Sequence, residues 1–298
     1  MKHLTHFMLL FLFIFSLFAL TGCSNQTQAS TENPPAAEQS TPAPVKKQPT
    51  SVLAADDFSN LQLADPTLPV YDKYTLAERQ SDKLPQTLPQ LIPYTTAKVA
   101  YLTFDDGPDN KNTPAILDIL KQAKVKATFF VIGKNVKLYP EMVQRIYDEK
   151  QAIGNHSYDH NYTTLYASPA AYIAEMKKTD DAIKAIIGVR PLITRAPGGV
   201  TGHFTKAFTT ALAANAYVEY GWNVSTADAA PNHPVAQDFI DNVLAQIDNP
   251  AISAHPTLLM HCSSNHEETV KALPTIIQIL KDRGYTFGVI TPMTPSPW

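Results

Sequence analysis

The 298-residue chain has almost no cysteine: only Cys23 and Cys262. If Cys23 carries another group, no intrachain disulfide can form, and the fold must stand on its core. The chain also lacks a strong charge of either sign. Its formal net charge is −3 and it has no basic run, so no electrostatic argument points to nucleic acid or to an anionic polymer. A membrane-length apolar stretch is missing too. Phe7 to Leu20 is a run of about 14 mostly apolar residues, where a spanning helix needs about 20. What the chain does have is 44% hydrophobic residues, ample for one core of about 200 residues plus appendages.

The N-terminus speaks to location. Met1-Lys2-His3 is a weakly basic opening, and Phe7–Leu20 has the length of a signal h-region. Leu20-Thr21-Gly22-Cys23 then looks like a bacterial lipobox, which implies cleavage before Cys23 and lipid on its sulfur. An ordinary signal peptide and an uncleaved anchor are the alternatives. All three put the protein outside the cytoplasm, and the first tethers it to the membrane, facing the cell wall. Residues 24–55, rich in Ser, Thr, Pro, Ala and Gln, read as a disordered tether. Residues 56–97 mix apolar side chains with many prolines and read as an irregular extension packing on the domain that begins at Lys98.

From Lys98 strands and helices alternate. Strands are expected over 99–104, 127–132, 152–154, 192–194, 216–222, 257–260 and 286–290. Helices are expected over 113–124, 140–150, 168–187, 204–213, 235–247 and 267–283. Ser168 as N-cap, Pro169 at the first helical position and Gly188 as the stop make the third the best delimited. Repeated β-α units argue for a parallel sheet closed, or nearly closed, into a barrel. The chemistry-bearing residues fall at or just after the C-terminal ends of its strands.

Two stretches carry the chemistry. Thr103-Phe104-Asp105-Asp106-Gly107-Pro108 puts two carboxylates where a strand ends, the place where neighbouring side chains can serve one site. His156-Ser157-Tyr158-Asp159-His160 spaces two imidazoles i, i+4, so a single helical turn would present both on one side. Read alone, Asp-Asp-Gly-Pro is a common turn, and one His-x-x-x-His pair has no necessary function. Together they supply one carboxylate and two imidazoles for a divalent metal, with a second carboxylate left to take a proton from water. Other histidines, His203, His233, His255 and His266, have no ligand spacing and default to surface or loop roles, although His266 is close enough to the end of the 257–260 strand to line a groove.

These stretches resemble the first two motifs of the polysaccharide deacetylases, the NodB-homology domains or family 4 carbohydrate esterases. The resemblance runs from about Lys98 to about Thr291. Arg195-Ala196-Pro197-Gly198-Gly199 is similar to the third motif, Trp222-Asn223-Val224-Ser225-Thr226-Ala227-Asp228 to a variant of the fourth, and Leu259-Met260-His261 to the fifth. It implies a distorted (β/α) barrel of about seven parallel strands spanning residues 98–298. It also implies one divalent ion, zinc first, with cobalt, nickel or manganese as alternatives, held by Asp106, His156 and His160. Asp105 would be the base, Arg195 would orient it, and His261, paired with Asp228, would be the acid. Pro197, Gly198, Trp222 and Leu259 would line the substrate and oxyanion side, a backbone N–H near Gly198 holding the oxyanion.

This sequence departs from the pattern at three places. Gly198 stands where a tyrosine is frequent, Ala229 where a tryptophan often follows the matched aspartate, and Cys262 where a polar residue often follows the histidine. Trp222 also fits a strand residue packed in the core, and Cys262 a small, partly buried residue. The activity implied is hydrolysis of acetamides on an N-acetylated glycan by a monomeric enzyme. Its position at the wall favours peptidoglycan. Chito-oligosaccharide, poly-N-acetylglucosamine and acetylated xylan stay open as substrates, as does a non-catalytic glycan-binding surface lipoprotein.

Overall fold

The computed structural model describes residues 49–96, 98–252 and 254–297. The expected signal segment, Cys23 and most of the expected tether lie outside them. In chain order the elements are β1 (Val52–Leu53), β2 (Val70–Asp72), α1 (Leu76–Ser81), β3 (Val99–Gly107), α2 (Asn112–Ala123), β4 (Ala127–Val131), α3 (Gly133–Leu138), α4 (Pro140–Asp148), β5 (Ala152–Asn155), α5 (Tyr162–Leu165) and α6 (Pro169–Ile187). There follow β6 (Arg190–Pro191), β7 (Ile193–Thr194), α7 (Lys206–Ala213), β8 (Val218–Glu219), β9 (Val224–Ser225), α8 (Ala236–Ile247), β10 (Thr257–His261), α9 (Glu267–Asp282) and β11 (Thr286–Phe287).

Strand β3 sets the frame because its side chains alternate between two apolar environments. Tyr101 points inward and joins Phe130, Ile193, Tyr220 and Ile290 in a plug inside the sheet. Leu102 and Phe104 point outward and pack with Ile116 and Leu117 of α2 and with Ile276 and Leu280 of α9. Burial on both faces, with helices outside, is the environment that parallel sheets require. Seven strands in the order β8-β7-β5-β4-β3-β10-β9 curl into a distorted barrel, all paired in parallel, with β11 added beside the start of β3. The expected strand over 216–222 shortens to Val218–Glu219, and a separate strand that the sequence did not show, Val224–Ser225, follows beyond it. Val218–Glu219 pairs with β7 at one end of the sheet and Val224–Ser225 with β10 at the other, so the chain between them crosses the seam of the barrel.

Helix α6 ends where the sequence indicated. Ser168 accepts from the Ala171 N–H and Gly188 takes φ +79 at the C-cap. The extension before the barrel is more ordered than expected. Val52–Leu53 pairs with Val70–Tyr71, and β2 pairs antiparallel with Arg190–Pro191, so order begins before the expected boundary at residue 55. Asp72 is fully buried between Arg79 (Nε 2.6 Å, Nη2 3.0 Å) and Arg190 (Nη2 2.9 Å), and Arg190 reaches Asp180 of α6. Strands of two and three residues carry no readable alternation, which is why the sequence left this region irregular. Among the described residues no helix is long and apolar enough to cross a membrane.

Candidate active site

Tyr101, Thr103 and Asp105 form the inward row of β3, so Asp105 lies at the top of the row, above the apolar plug. Strict alternation would send Asp106 to the opposite face. A bulge prevents this: Asp105 pairs with Phe130 and Gly107 with Val131, leaving Asp106 as the extra residue at φ +70. The Asn135 side chain donates to the Asp106 carbonyl at 2.8 Å and holds the turn. The bulge brings both carboxylates to one site.

The two histidines do not share a helical turn, contrary to the expectation from their spacing. They sit in the loop after β5, where Ser157 and His160 both take positive φ (69° and 59°). Asn155 accepts from the Ser157 N–H, and the Ser157 hydroxyl accepts from the His160 N–H. The loop nonetheless converges the rings on Asp106. The Asp106 Oδ1 atom is 3.5 Å from the Nε2 atoms of both His156 and His160. These separations are too long for good hydrogen bonds, and Oδ1 is buried with no hydrogen-bond partner among the described residues. They match instead the roughly 3.3–3.4 Å edges of a tetrahedral zinc site with bonds of about 2.0–2.1 Å. His156 Nδ1 lies 2.8 Å from the Arg195 carbonyl, which fixes the proton there and turns the Nε2 lone pair towards Asp106. Burial alone would raise the Asp106 carboxyl; the surrounding His156, His261 and His160 rings outweigh it and hold the group well below the usual range. Burial disfavours the charged form of His156, yet Asp105 and Asp106 raise its pKa, and the same negative field would favour a cation. Asp106, His156 and His160 therefore fit a divalent metal.

Arg195 follows β7 and is fully buried at the barrel seam. Its guanidinium donates to the carbonyls of Tyr220 (2.9 Å) and Gly221 (2.8 Å), to Thr103 Oγ1 (2.6 Å) and to Asp105 Oδ1 (2.9 Å). It lies over the Phe130 ring, at the boundary between plug and site. Asp105 is thus held on one oxygen while Oδ2 faces His156 Nε2 at 3.8 Å. Beneath them Glu219 of β8 accepts from Thr194 Oγ1 (2.7 Å) and the Ala196 N–H (2.6 Å), and burial pushes its carboxyl up to about 7.

The opposite wall comes from β10 and the loop after β9. Asp228 Oδ1 is 2.8 Å from His261 Nδ1, and Oδ2 accepts the His261 N–H (2.7 Å) and the Thr269 hydroxyl (2.8 Å). Burial works against a charged His261 ring, but Asp228, helped by Asp105 and Asp106, raises it to about 9. His266 sits in the loop before α9, as one of the expected alternatives had it, but it is buried rather than at the surface and stacks on His261 (centroids 5.0 Å apart, 21° between planes). Asp228, His261 and His266 also form a set of potential ligands. His261 Nδ1, however, is engaged with Asp228 and His266 Nδ1 with Ser263, so the arrangement is that of an ion pair with a stacked ring.

The remaining expected residues line the rim. Gly198 (φ +71) is exposed, and its N–H has no acceptor among the described residues. Pro197 is buried and its carbonyl accepts the Tyr166 hydroxyl at 2.6 Å. Trp222 is not a core strand residue. It lies half-buried in the seam-crossing segment, between the Arg195 guanidinium and Gly199. Leu259 is half-buried on β10 between Thr103 and Ser225. Cys262 is fully buried, tighter than expected, with its thiol against the Asp105 carbonyl. The sequence reading missed Tyr162, Glu219 and Thr269, which no local motif marks, and gave no role to Thr103 at the head of the first motif.

A buried arginine–carboxylate pair, an Asp-His-His set able to hold a metal ion and an aspartate-paired histidine thus meet at the C-terminal mouth of a parallel barrel. The polysaccharide deacetylase family model matches residues 93–219. A peptidoglycan-N-acetylglucosamine deacetylase of Bacillus cereus is 35% identical over 215 residues, covering 71% of this chain and 76% of that protein. The peptidoglycan-N-acetylmuramic acid deacetylase PdaA of Bacillus subtilis is 33% identical over 199 residues (66% and 71%). The solved structure of a Streptococcus mutans CE4 esterase superposes with a TM-score of 0.63 at 29% identity, covering 78% of this chain and all of that one (100%). The chain belongs to the polysaccharide deacetylase family, carbohydrate esterase family 4, a class of hydrolases acting on non-peptide carbon–nitrogen bonds.

Proposed function

We propose that this protein is a metal-dependent N-deacetylase of cell-wall glycan, acting on peptidoglycan outside the cytoplasm. The observation that carries the reading is the position of Asp105, fixed by Arg195 on one side and facing the Asp106, His156 and His160 set on the other. Those three residues would hold one divalent ion, zinc by the fit of their spacing, which would supply a Lewis acid and a water of lowered pKa. Asp105 takes the proton of the attacking water. The Gly198 N–H donates to the oxygen of the acetamide as charge builds on it. His261, kept protonated by Asp228, gives its proton to the leaving amine, so acetate and an aminosugar depart.

The names of the relatives support peptidoglycan as substrate but differ on which of its sugars is deacetylated. The N-terminal h-region and lipobox support a signal peptide, lipid on Cys23 and a wall-facing position. The test is acetate release from purified peptidoglycan by the full chain loaded with zinc, with Asp105→Asn and His156→Ala as controls. Release by the parent and neither variant is expected. Activity on chito-oligosaccharide or xylan alone would keep the chemistry and overturn the substrate. No release from any of them, with metal bound, would leave a glycan-binding protein.

A further inference from the structure

Tyr162 stands beside this site and no motif accounts for it. It is the first residue of α5, two beyond His160, and it is exposed (43%) although its ring is packed on three sides. The ring meets His160 edge-on at 5.4 Å and lies 5.8 Å from Tyr166 and 5.6 Å from His203. Tyr166 and His203 are themselves stacked, 4.1 Å apart and 7° from parallel. The Tyr166 hydroxyl is bound to the Pro197 carbonyl, so the segment bearing Gly198 and the support behind Tyr162 are tied together. A Cβ on residue 198 would lie 2.6 Å from the Tyr162 hydroxyl, and the positive φ there disfavours a side chain as well. Gly198 and Tyr162 therefore form one unit in which the phenol occupies the space beside the Gly198 N–H. The hydroxyl has no hydrogen-bond partner among the described residues, so its donor and acceptor are available to a ligand.

We propose that Tyr162 is a substrate-contacting residue: it forms the aromatic wall of the acetamide site beside Gly198, its ring packing on the sugar that bears the acetamide and its hydroxyl hydrogen-bonding that sugar. The proposal rests on the deacetylase reading given above. An exposed aromatic face suits a pyranose, whose axial C–H groups are apolar while its edge is polar. The wall is rigid before substrate arrives, because Tyr166 and His203 hold the ring from behind, and little order has to be gained on binding.

The test compares Tyr162→Phe and Tyr162→Ala with the parent in the zinc-loaded full chain. Steady-state acetate release from N-acetylglucosamine oligosaccharides and their equilibrium binding by calorimetry are measured together, with metal content and thermal midpoint as controls. Loss of one neutral hydrogen bond should lower kcat/KM for Tyr162→Phe by roughly 3- to 10-fold. Loss of the ring as well should lower it by roughly 10- to 100-fold for Tyr162→Ala, chiefly through KM and Kd, with metal content unchanged. Variants within twofold of the parent in kcat/KM and Kd would overturn the proposal. So would a Tyr162→Ala defect that excess zinc repairs, since Tyr162 would then act through His160. A parent that binds the sugar but releases no acetate would sink the deacetylase reading alone, and the Kd ratios would still decide on Tyr162. A parent that neither binds nor releases would overturn both.

Discussion

Replacing Asp228 with asparagine should cost the enzyme activity at alkaline pH while sparing it near pH 6. The ion pair with Asp228 is the main favourable influence holding His261 at about 9 rather than 6.5. A histidine raised in this way stays a proton donor until the pH climbs through the raised value, and loses the proton above it. Without the carboxylate the value falls towards the ordinary one. A full return would cut the protonated fraction roughly 30-fold at pH 8 but by less than about twofold at pH 6. A cation on Asp106 would remove one of the lesser contributions and bring the parent's alkaline limb below 9, without touching the larger share from Asp228. The assay is kcat/KM for acetate release between pH 5.5 and 10, with metal content measured at each pH. The expected result is an alkaline limb displaced downwards in Asp228→Asn, with near-parental activity at pH 6. An unmoved limb with a uniform loss at every pH would refute the assignment of His261 as the acid tuned by Asp228.

Two further perturbations follow from the buried charges. Burial raises Glu219 from 4.5 to about 7, so the folded state keeps a proton that the unfolded chain releases above about pH 4.5. Stability should therefore decline as pH rises from about 4.5 to 7, by up to about 3 kcal/mol, and Glu219→Gln should flatten that decline; equal pH slopes for parent and variant in urea unfolding would contradict this. Asp72→Ala would strand the buried Arg79 and Arg190, at a cost of about 3–5 kcal/mol and about 10 °C in Tm by calorimetry, and a shift under about 2 °C would argue against the pairing described.

The parts of the site legible in the sequence are those whose residue types are unusual where they stand. Consecutive aspartates at a strand end, two nearby histidines, and an arginine and a histidine after later strands could all be picked out. How they meet could not. Asp106 reaches the metal set through a bulge at positive φ, which a non-glycine residue does not advertise. The i, i+4 spacing suggested a helix, whereas Ser157 and His160 at positive φ bring the rings together in a loop. Thr103 and Glu219 come to the site through sheet order and Thr269 from the first turn of α9, all from positions that look like ordinary strand or helix residues. Long helices with caps, such as α6, were readable to within a residue or two, whereas β1, β2 and β6 are too short to show a period.

The fully buried contact of Arg79 and Arg190 with Asp72 also fixes what can be moved as a piece. The family model begins at residue 93, and β3 begins at Val99, so either is a tempting place to cut. A graft made there would carry Arg190 and Asp180 into a new protein without Asp72. Asp180 is also the residue that accepts from Asn155, the side chain bracing the loop of His156 and His160. The transplantable unit is therefore longer than the motif-bearing one and starts upstream of Val52. A soluble fragment that kept the fold intact would have to be cut before that point.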